Sequence, residues 1–209
     1  MTIRMGETYV ANGQLTQAGY SALKGTEGDI AALTARVATA ETDITTIETA
    51  TSFVKLQAAV AAASQTSIDF TGVPVWANRI TVMFDGLSTN GTSLVQVQLG
   101  DSGGVETTGY LSAATILAAG VSTTNRTSGF VLDYGSGALA TNLRQGFVTL
   151  QKASGSTWVC GGLVALSDAA QIAALAGAKT LSAALDRVRV TTINGTDTFD
   201  AGNVSISWE

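Results

Sequence analysis

With no histidine anywhere in the chain, a histidine-based triad, a histidine general base and a histidine metal ligand are all excluded. Carboxylates are the remaining route to acid–base chemistry. Asp101 with Glu106, and Asp197 with Asp200, lie close enough in sequence to share a loop. A glycosidase would need two such groups about 5 to 10 Å apart. Each pair is more simply read as turn chemistry, because aspartate in a glycine-rich loop bonds its own backbone. The Asp197 and Asp200 spacing does not match a calcium-binding loop. Gly100 to Gly104 lacks the strand-to-helix context and lysine of a phosphate loop. Cys160, within Trp158-Val159-Cys160, reads as a buried strand position. The sequence therefore predicts no enzyme, no catalytic residue, no cofactor and no bound metal.

Binding without catalysis remains open. Loops at the end of a β module can stack aromatic rings on sugar and hydrogen-bond its hydroxyls. Tyr110, Tyr134 and Asn142 are the candidates for such contacts. Trp76 precedes a strand and reads as a packing anchor, and Trp158 and Trp208 alternate like core residues. Asn125-Arg126-Thr127 and the two Asn-Gly-Thr sites match a glycosylation sequon but read as turns.

The elements that must position these residues fall into two periods. From residue 23 to 54, Leu23, Thr26, Ile30, Leu33, Val37, Ala40, Ile44, Ile47, Thr51 and Val54 alternate at spacings of three and four. That seam is too narrow for one face of a globular core, and its natural partner is another copy of itself. Ile30, Leu33, Val37, Ala40, Ile44 and Ile47 form its centre. β-branched residues at the second core position, here Thr26, Ile47 and Val54, favour a trimer over a dimer. Arg36 stands five residues before Glu41, the offset of an interhelical salt bridge between parallel chains, whereas Asp43 and Glu48 are like-charged. An exposed pair adds only about 0.2 to 1 kcal/mol, so apolar contacts must dominate. Thr26-Glu27-Gly28-Asp29 resembles a capping box, which predicts a helix of about 25 residues and roughly 37 Å. The predicted organisation is a segment 1–22, a coiled-coil neck 23–57, a linker 58–66 and a β domain 67–209.

The net charge is −5, with 11 Lys and Arg scattered along the chain, so no basic patch points to nucleic acid. The longest wholly apolar run, Ala58 to Ala63, is far short of a membrane span, and the N-terminus lacks a secretory pattern. A soluble chain made in the cytoplasm, with no membrane insertion, is expected.

After the linker the period becomes two. Ile80, Val82 and Phe84, then Val95, Val97 and Leu99, flank a polar turn with Asn90-Gly91, which predicts a hairpin. The pattern recurs for Phe147 to Gln151 with Thr157 to Cys160, and for Val188 and Val190 with Val204, Ile206 and Trp208. With segments near Ser67 to Phe70, Gly109 to Ala113 and Gly129 to Asp133, the count reaches roughly nine strands, an antiparallel, jelly-roll-like β-sandwich. One segment departs from the pattern. Ser167-Asp168 before Ala169 to Ala176 and Gly177 reads as a capped short helix.

Ile68-Asp69-Phe70-Thr71-Gly72-Val73-Pro74-Val75-Trp76-Ala77-Asn78-Arg79-Ile80-Thr81-Val82-Met83-Phe84 resembles a segment common in C-terminal domains of tailed-phage tail fibres and related minor structural proteins. The run from Leu185 to Val204, through Asn194-Gly195-Thr196-Asp197, is similar in the same way and is the more specific match. Gln98 to Gly104 and Thr107 to Tyr110 extend the likeness over most of the C-terminal two-thirds. The resemblance implies a homotrimeric virion protein with a β-sandwich head. It also implies receptor binding to host surface polysaccharide or protein. The likeness does not reach residues 1–22, where Met5, Tyr9, Val10, Leu15 and Tyr20 spread through polar residues read as a segment that orders on docking to other virion proteins, with a disordered tail as the alternative. The competing reading is a head fibre, capsid decoration or baseplate element with no receptor. A cell-anchored adhesin would need a secretion signal and a membrane barrel, neither of which the sequence displays.

Overall fold

The computed structural model describes residues 10–11, 14–15, 17–50, 54–118, 120–133, 139–167 and 169–209, with side chains except at 10–20, 45–50 and 121. The chain divides into two compact units at Phe53/Val54.

In the first unit, β1 (Val10–Ala11) pairs antiparallel with β2 (Gln14–Leu15). A single helix, α1 (Gln17–Ala50), follows. Its 34 residues make a rod of about 51 Å at 1.5 Å each, longer than the sequence predicts. The capping box is not used as one: Thr26 Oγ1 donates to the Ala22 carbonyl at 3.0 Å, inside the helix. Thr34, Thr39 and Thr42 do the same to Ile30, Ala35 and Ala38. These bonds satisfy hydroxyls that otherwise compete with the helical backbone, and Gly25 and Gly28 are carried through the helix interior. Every side chain from Ser21 to Ile44 is exposed. The seam residues Ile30, Leu33, Val37, Ala40 and Ile44 therefore stand in solvent in the single chain, and the side chain of Ile47 lies outside the described residues.

The second unit contains two antiparallel sheets. The larger is ordered β10 (Val121–Arg126), β9 (Tyr110–Leu117), β14 (Gln171–Thr180), β13 (Thr157–Leu166), β12 (Arg144–Ser154), β6 (Arg79–Thr89), β16 (Phe199–Trp208) and β3 (Lys55–Leu56), with β4 (Val60–Ala61) also on β16. The smaller is ordered β11 (Phe130–Val131), β7 (Val95–Asp101), β15 (Arg187–Thr192) and β5 (Ser67–Thr71), with β8 (Gly104–Val105) on β7. One apolar core receives Ile80, Val82, Val204 and Ile206 from the larger sheet and Val97, Leu99, Val188 and Val190 from the smaller. Alternation explains the split: Ile68 and Phe70 of β5 are buried while Asp69 and Thr71 are exposed.

Several sequence expectations are corrected here. β6 and β7 do not form a hairpin; they lie in different sheets, and the turn at Asn90-Gly91 carries the chain across the core. Gly91 is required for another reason: a Cβ there would overlap the Asp197 carboxylate, whose Oδ2 accepts from Ser93 N at 2.9 Å. β15 and β16 likewise belong to different sheets. Only Phe147 to Gln151 with Thr157 to Cys160 forms the expected hairpin, β12 with β13. The predicted helix at 169–176 is strand β14, paired along ten residues with β13 and eight with β9. Alanine's helical preference yields to two complete neighbouring ladders. Ser167, the expected cap, bonds the Leu143 carbonyl instead, and Asp168 lies outside the described residues. The neck and linker boundaries also shift, because Lys55–Leu56 and Val60–Ala61 pair with β16 and Ala62 is fully buried.

Candidate functional site

The outer face of the smaller sheet carries a polar concavity. β7 and β15 are adjacent and antiparallel, with Gln98 opposite Arg189 and Gln96 opposite Thr191. Alternation sends Val95, Val97 and Leu99 into the core and leaves the amides and hydroxyls on the other face. Ser67, Gln96, Gln98, Ser128, Arg189 and Thr191 line a groove of about 320 Å³. Its polar groups are tied in place. Gln98 Nε2 donates to the Ser128 carbonyl at 2.8 Å, and Ser128 Oγ donates to Gln96 Oε1 at 2.9 Å. Thr191 Oγ1 donates to the Thr66 carbonyl at 2.9 Å. Arg189 grips Asp69 with two bonds of 2.7 and 2.8 Å. The hydrogen bonds to Asp69 raise the guanidinium further above its ordinary value, so it stays charged. Gln96, Gln98 and Thr191 are themselves buried, at 2%, 4% and 7% exposure, so the half-buried Ser67, Ser128 and Arg189 are the groups placed to meet a polyhydroxylated ligand.

The carboxylates singled out by sequence do meet. Asp101 Oδ2 and Glu106 Oε1 each lie 2.8 Å from Ser182 Oγ, whose one proton serves both. Glu106 also accepts from Ser182 N at 2.7 Å and pairs with Lys179 Nζ at 2.5 Å. The Ser182 hydroxyl, then Gly103 N, hold the Asp101 carboxyl below its usual value. Burial pushes Glu106 upward, but the bonds from Lys179 and Ser182 outweigh it, and its carboxyl is lowered too. A glycosidase pair needs one carboxyl raised enough to keep its proton. Here both are ionised at neutral pH, which suits a clamp between β8, β14 and the Ser182 turn. Asp197 and Asp200 serve separate turns: Asp197 Oδ1 takes Asn194 Nδ2 at 2.6 Å, and Asp200 accepts from Ser88 Oγ. Among the described residues, no three His, Cys, Asp or Glu side chains gather as a metal site.

Tyr110 is not a ligand platform. It is fully buried, edge-on to Phe130 at 5.1 Å, and its hydroxyl bonds Leu99 N and the Glu106 carbonyl. Burial drives its phenol well above the ordinary value. Asn142 is also fully buried, packed beside the Arg144 side chain that donates to its carbonyl. Residue type alone suggests both, but Tyr110 faces the core from β9 and Asn142 lies in a buried turn whose backbone N–H donates to the Leu139 carbonyl. Tyr134 lies outside the described residues. Trp76 is half exposed, and its neighbour Ala77 does the packing instead. Trp158 and Cys160 are buried as expected, and Trp208 packs at the core margin. The sequence does carry a signal for the groove residues: Gln96, Gln98, Arg189 and Thr191 are the polar members of alternating strands.

No family model matches the chain. No curated protein matches it either. Among solved structures, a protein of unknown function from Shewanella oneidensis MR-1 is similar at 12% identity over 76% of each chain, with a TM-score of 0.27. A likeness that low carries no argument about fold or function.

Proposed function

We propose that the chain is a non-enzymatic, homotrimeric fibre protein of a tailed-phage virion, in which α1 trimerises as a parallel coiled coil and the β head is displayed for attachment to the host surface. The observation that carries this reading is the bare seam of α1. Ile30, Leu33 and Ile44 are 59%, 59% and 55% exposed, on a helix rich in threonine that carries three glycines, Gly19, Gly25 and Gly28. Such a helix gains its stability from packing an apolar stripe rather than from propensity. Three copies closing on one another cover that stripe, with about 1.5 to 3 kcal/mol for each fully buried Ile or Leu.

The jelly-roll-like display module and the groove on its smaller sheet supply the rest of the reading. Residues 1–22 would dock on other virion proteins, although α1 already begins at Gln17. The groove would take host surface polysaccharide, and three weak sites on one trimer would gain avidity through effective concentration. Light scattering tests the assembly: three times the 21.2 kDa chain is expected, and a monomer at micromolar concentration refutes it. Binding of the purified trimer to host cells, in competition with phage adsorption, tests the attachment role. A trimer that neither binds nor competes makes the protein a structural virion component instead.

A further inference from the structure

The larger sheet has an outer face unlike that of an ordinary solvated antiparallel sheet, whose outward positions are polar. Phe147, Leu163 and Leu111 are 52%, 53% and 74% exposed on it. No outward position on β9, β12, β13 or β14 carries a charge. The register builds relief into the face. Met83, Phe147, Leu163 and Ala174 lie in one row across four strands, so the two large side chains form a ridge on β12 and β13. Beside it, Ala113, Ala174 and Ala176 floor an open hollow of about 320 Å³ on β14 and β9.

Resting on the trimer reading above, we propose that this face is the contact between heads, the Phe147–Leu163 ridge of each copy seating in the alanine hollow of the next. Ridge and hollow occupy different strands of one face, so the contact is heterologous, and such contacts close into a ring under a threefold rotation. A charged partner finds no counter-charge here, whereas a copy of the same face brings a neutral, shape-matched surface. Four strands about 4.8 Å apart and ten residues long at about 3.4 Å give roughly 650 Å² per head. Shared among the three contacts of a ring, this is about 650 Å² each, less than the roughly 1,200 to 2,000 Å² of a free-standing specific interface, so the contact suits heads that α1 already holds at high effective concentration. The polar groove lies on the opposite sheet and stays outside the ring.

The test uses the full chain carrying Cys160→Ser, Ala113→Cys and Phe147→Cys. The two new thiols sit three strands apart, about 14 Å, too far to bridge within one chain. Mild oxidation is expected to give covalent dimers and trimers on a denaturing gel. Monomers alone, from a protein that light scattering shows to be trimeric, overturn the head contact and leave the coiled-coil reading standing. A monomeric parent chain overturns that reading itself. Leu163→Asp changes an exposed side chain and spares the core. It is expected to raise the concentration at which trimers dissociate at least tenfold, and an unchanged value assigns the face to another occupant, such as a second virion protein, and refutes the proposal.

Discussion

Asp133 and Arg144 form an ion pair with no solvent exposure on either side chain, and replacing Arg144 with leucine tests what holds the two sheets in register. Asp133 lies two residues past the end of β11 of the smaller sheet, and Arg144 opens β12 of the larger. Arg144 Nε lies 3.0 Å from both Asp133 oxygens and Nη2 lies 2.9 Å from Oδ2. Arg144 Nη1 reaches the Asn142 carbonyl at 3.1 Å, and Asp133 also accepts from Val95 N at 3.2 Å. Among the described residues, Arg144→Leu leaves the buried carboxylate with the Val95 N–H as its one backbone donor. Breaking one partner of such a pair costs about 3 to 5 kcal/mol, a large share of the 5 to 15 kcal/mol typical of a domain. Asp133→Leu strands the guanidinium and is expected to cost as much. The double variant Asp133→Leu/Arg144→Leu removes both charges and leaves mainly Val95 N without its acceptor, a loss of about 1 to 3 kcal/mol. It should therefore be more stable than either single variant. Urea unfolding followed by the fluorescence of buried Trp158, at fixed protein concentration, reads the head directly. Single variants that each lose under about 1 kcal/mol, or a double variant as unstable as the sum, would refute the reasoning.

Other outcomes are expected from the same geometry. Ile30→Asp with Ile44→Asp places six carboxylates in a three-chain seam and should abolish the coiled coil, read as loss of helical circular dichroism and a fall in scattering mass. Arg189→Ala should weaken host-cell binding without changing trimer mass, because its guanidinium is the fixed cation of the groove; unchanged binding would remove the groove from the attachment role. Asp101 and Glu106 have folded values below their ordinary 3.8 and 4.5. Their stabilisation is thus complete above those ordinary values and is lost as pH falls through the lowered ones. Thermal midpoints should drop below about pH 4, and less steeply in Glu106→Gln. Cys160 is buried and its thiol is pushed far upward by burial, so a thiol reagent should label it only as fast as the head unfolds. Gly202 has φ +87°, and a Cβ there would stand 2.4 Å from the Gly86 carbonyl carbon. Gly202→Ala should destabilise by more than the roughly 1 kcal/mol of an ordinary glycine replacement, seen as a lower urea midpoint.

Much of this architecture was legible because its period is strong. The heptad of α1 and the alternation of Ile80-Thr81-Val82, Val95-Gln96-Val97 and Val188-Arg189-Val190 survive in the structure as helix and strands. What period two cannot tell is which strands pair, since a strand facing the core looks the same from either sheet. That is why Asn90-Gly91 and Asn194-Gly195 read as hairpin turns and proved to be crossings. β14 was hidden by composition: its alanines carry helical preference, and only the ladders on both sides make it a strand. The site was misplaced for a related reason. Side-chain chemistry points to Tyr110 and Asn142, whereas burial depends on where the chain places them. Tyr110 faces the core from β9 and Asn142 sits in a buried turn, while Gln96, Gln98 and Arg189 lie on the face of the smaller sheet turned away from the core, the two amides still covered.

The position of β16 also sets a timetable. It lies between β6 and β3 near one edge of the larger sheet, yet it follows all the other strands described, about 150 residues after α1 ends, a gap of roughly 8 to 30 s at 5 to 20 residues per second. Until Phe199–Trp208 arrives, β3, β4 and one side of β6 have no partner. If α1 trimerises as proposed, it can meet its copies during that interval, and the chains would be aligned at the helix before any head closes. Nascent neighbours on one message would then be joined in order, and the exposed edge of β6 would be sealed by its own chain rather than by a stranger's.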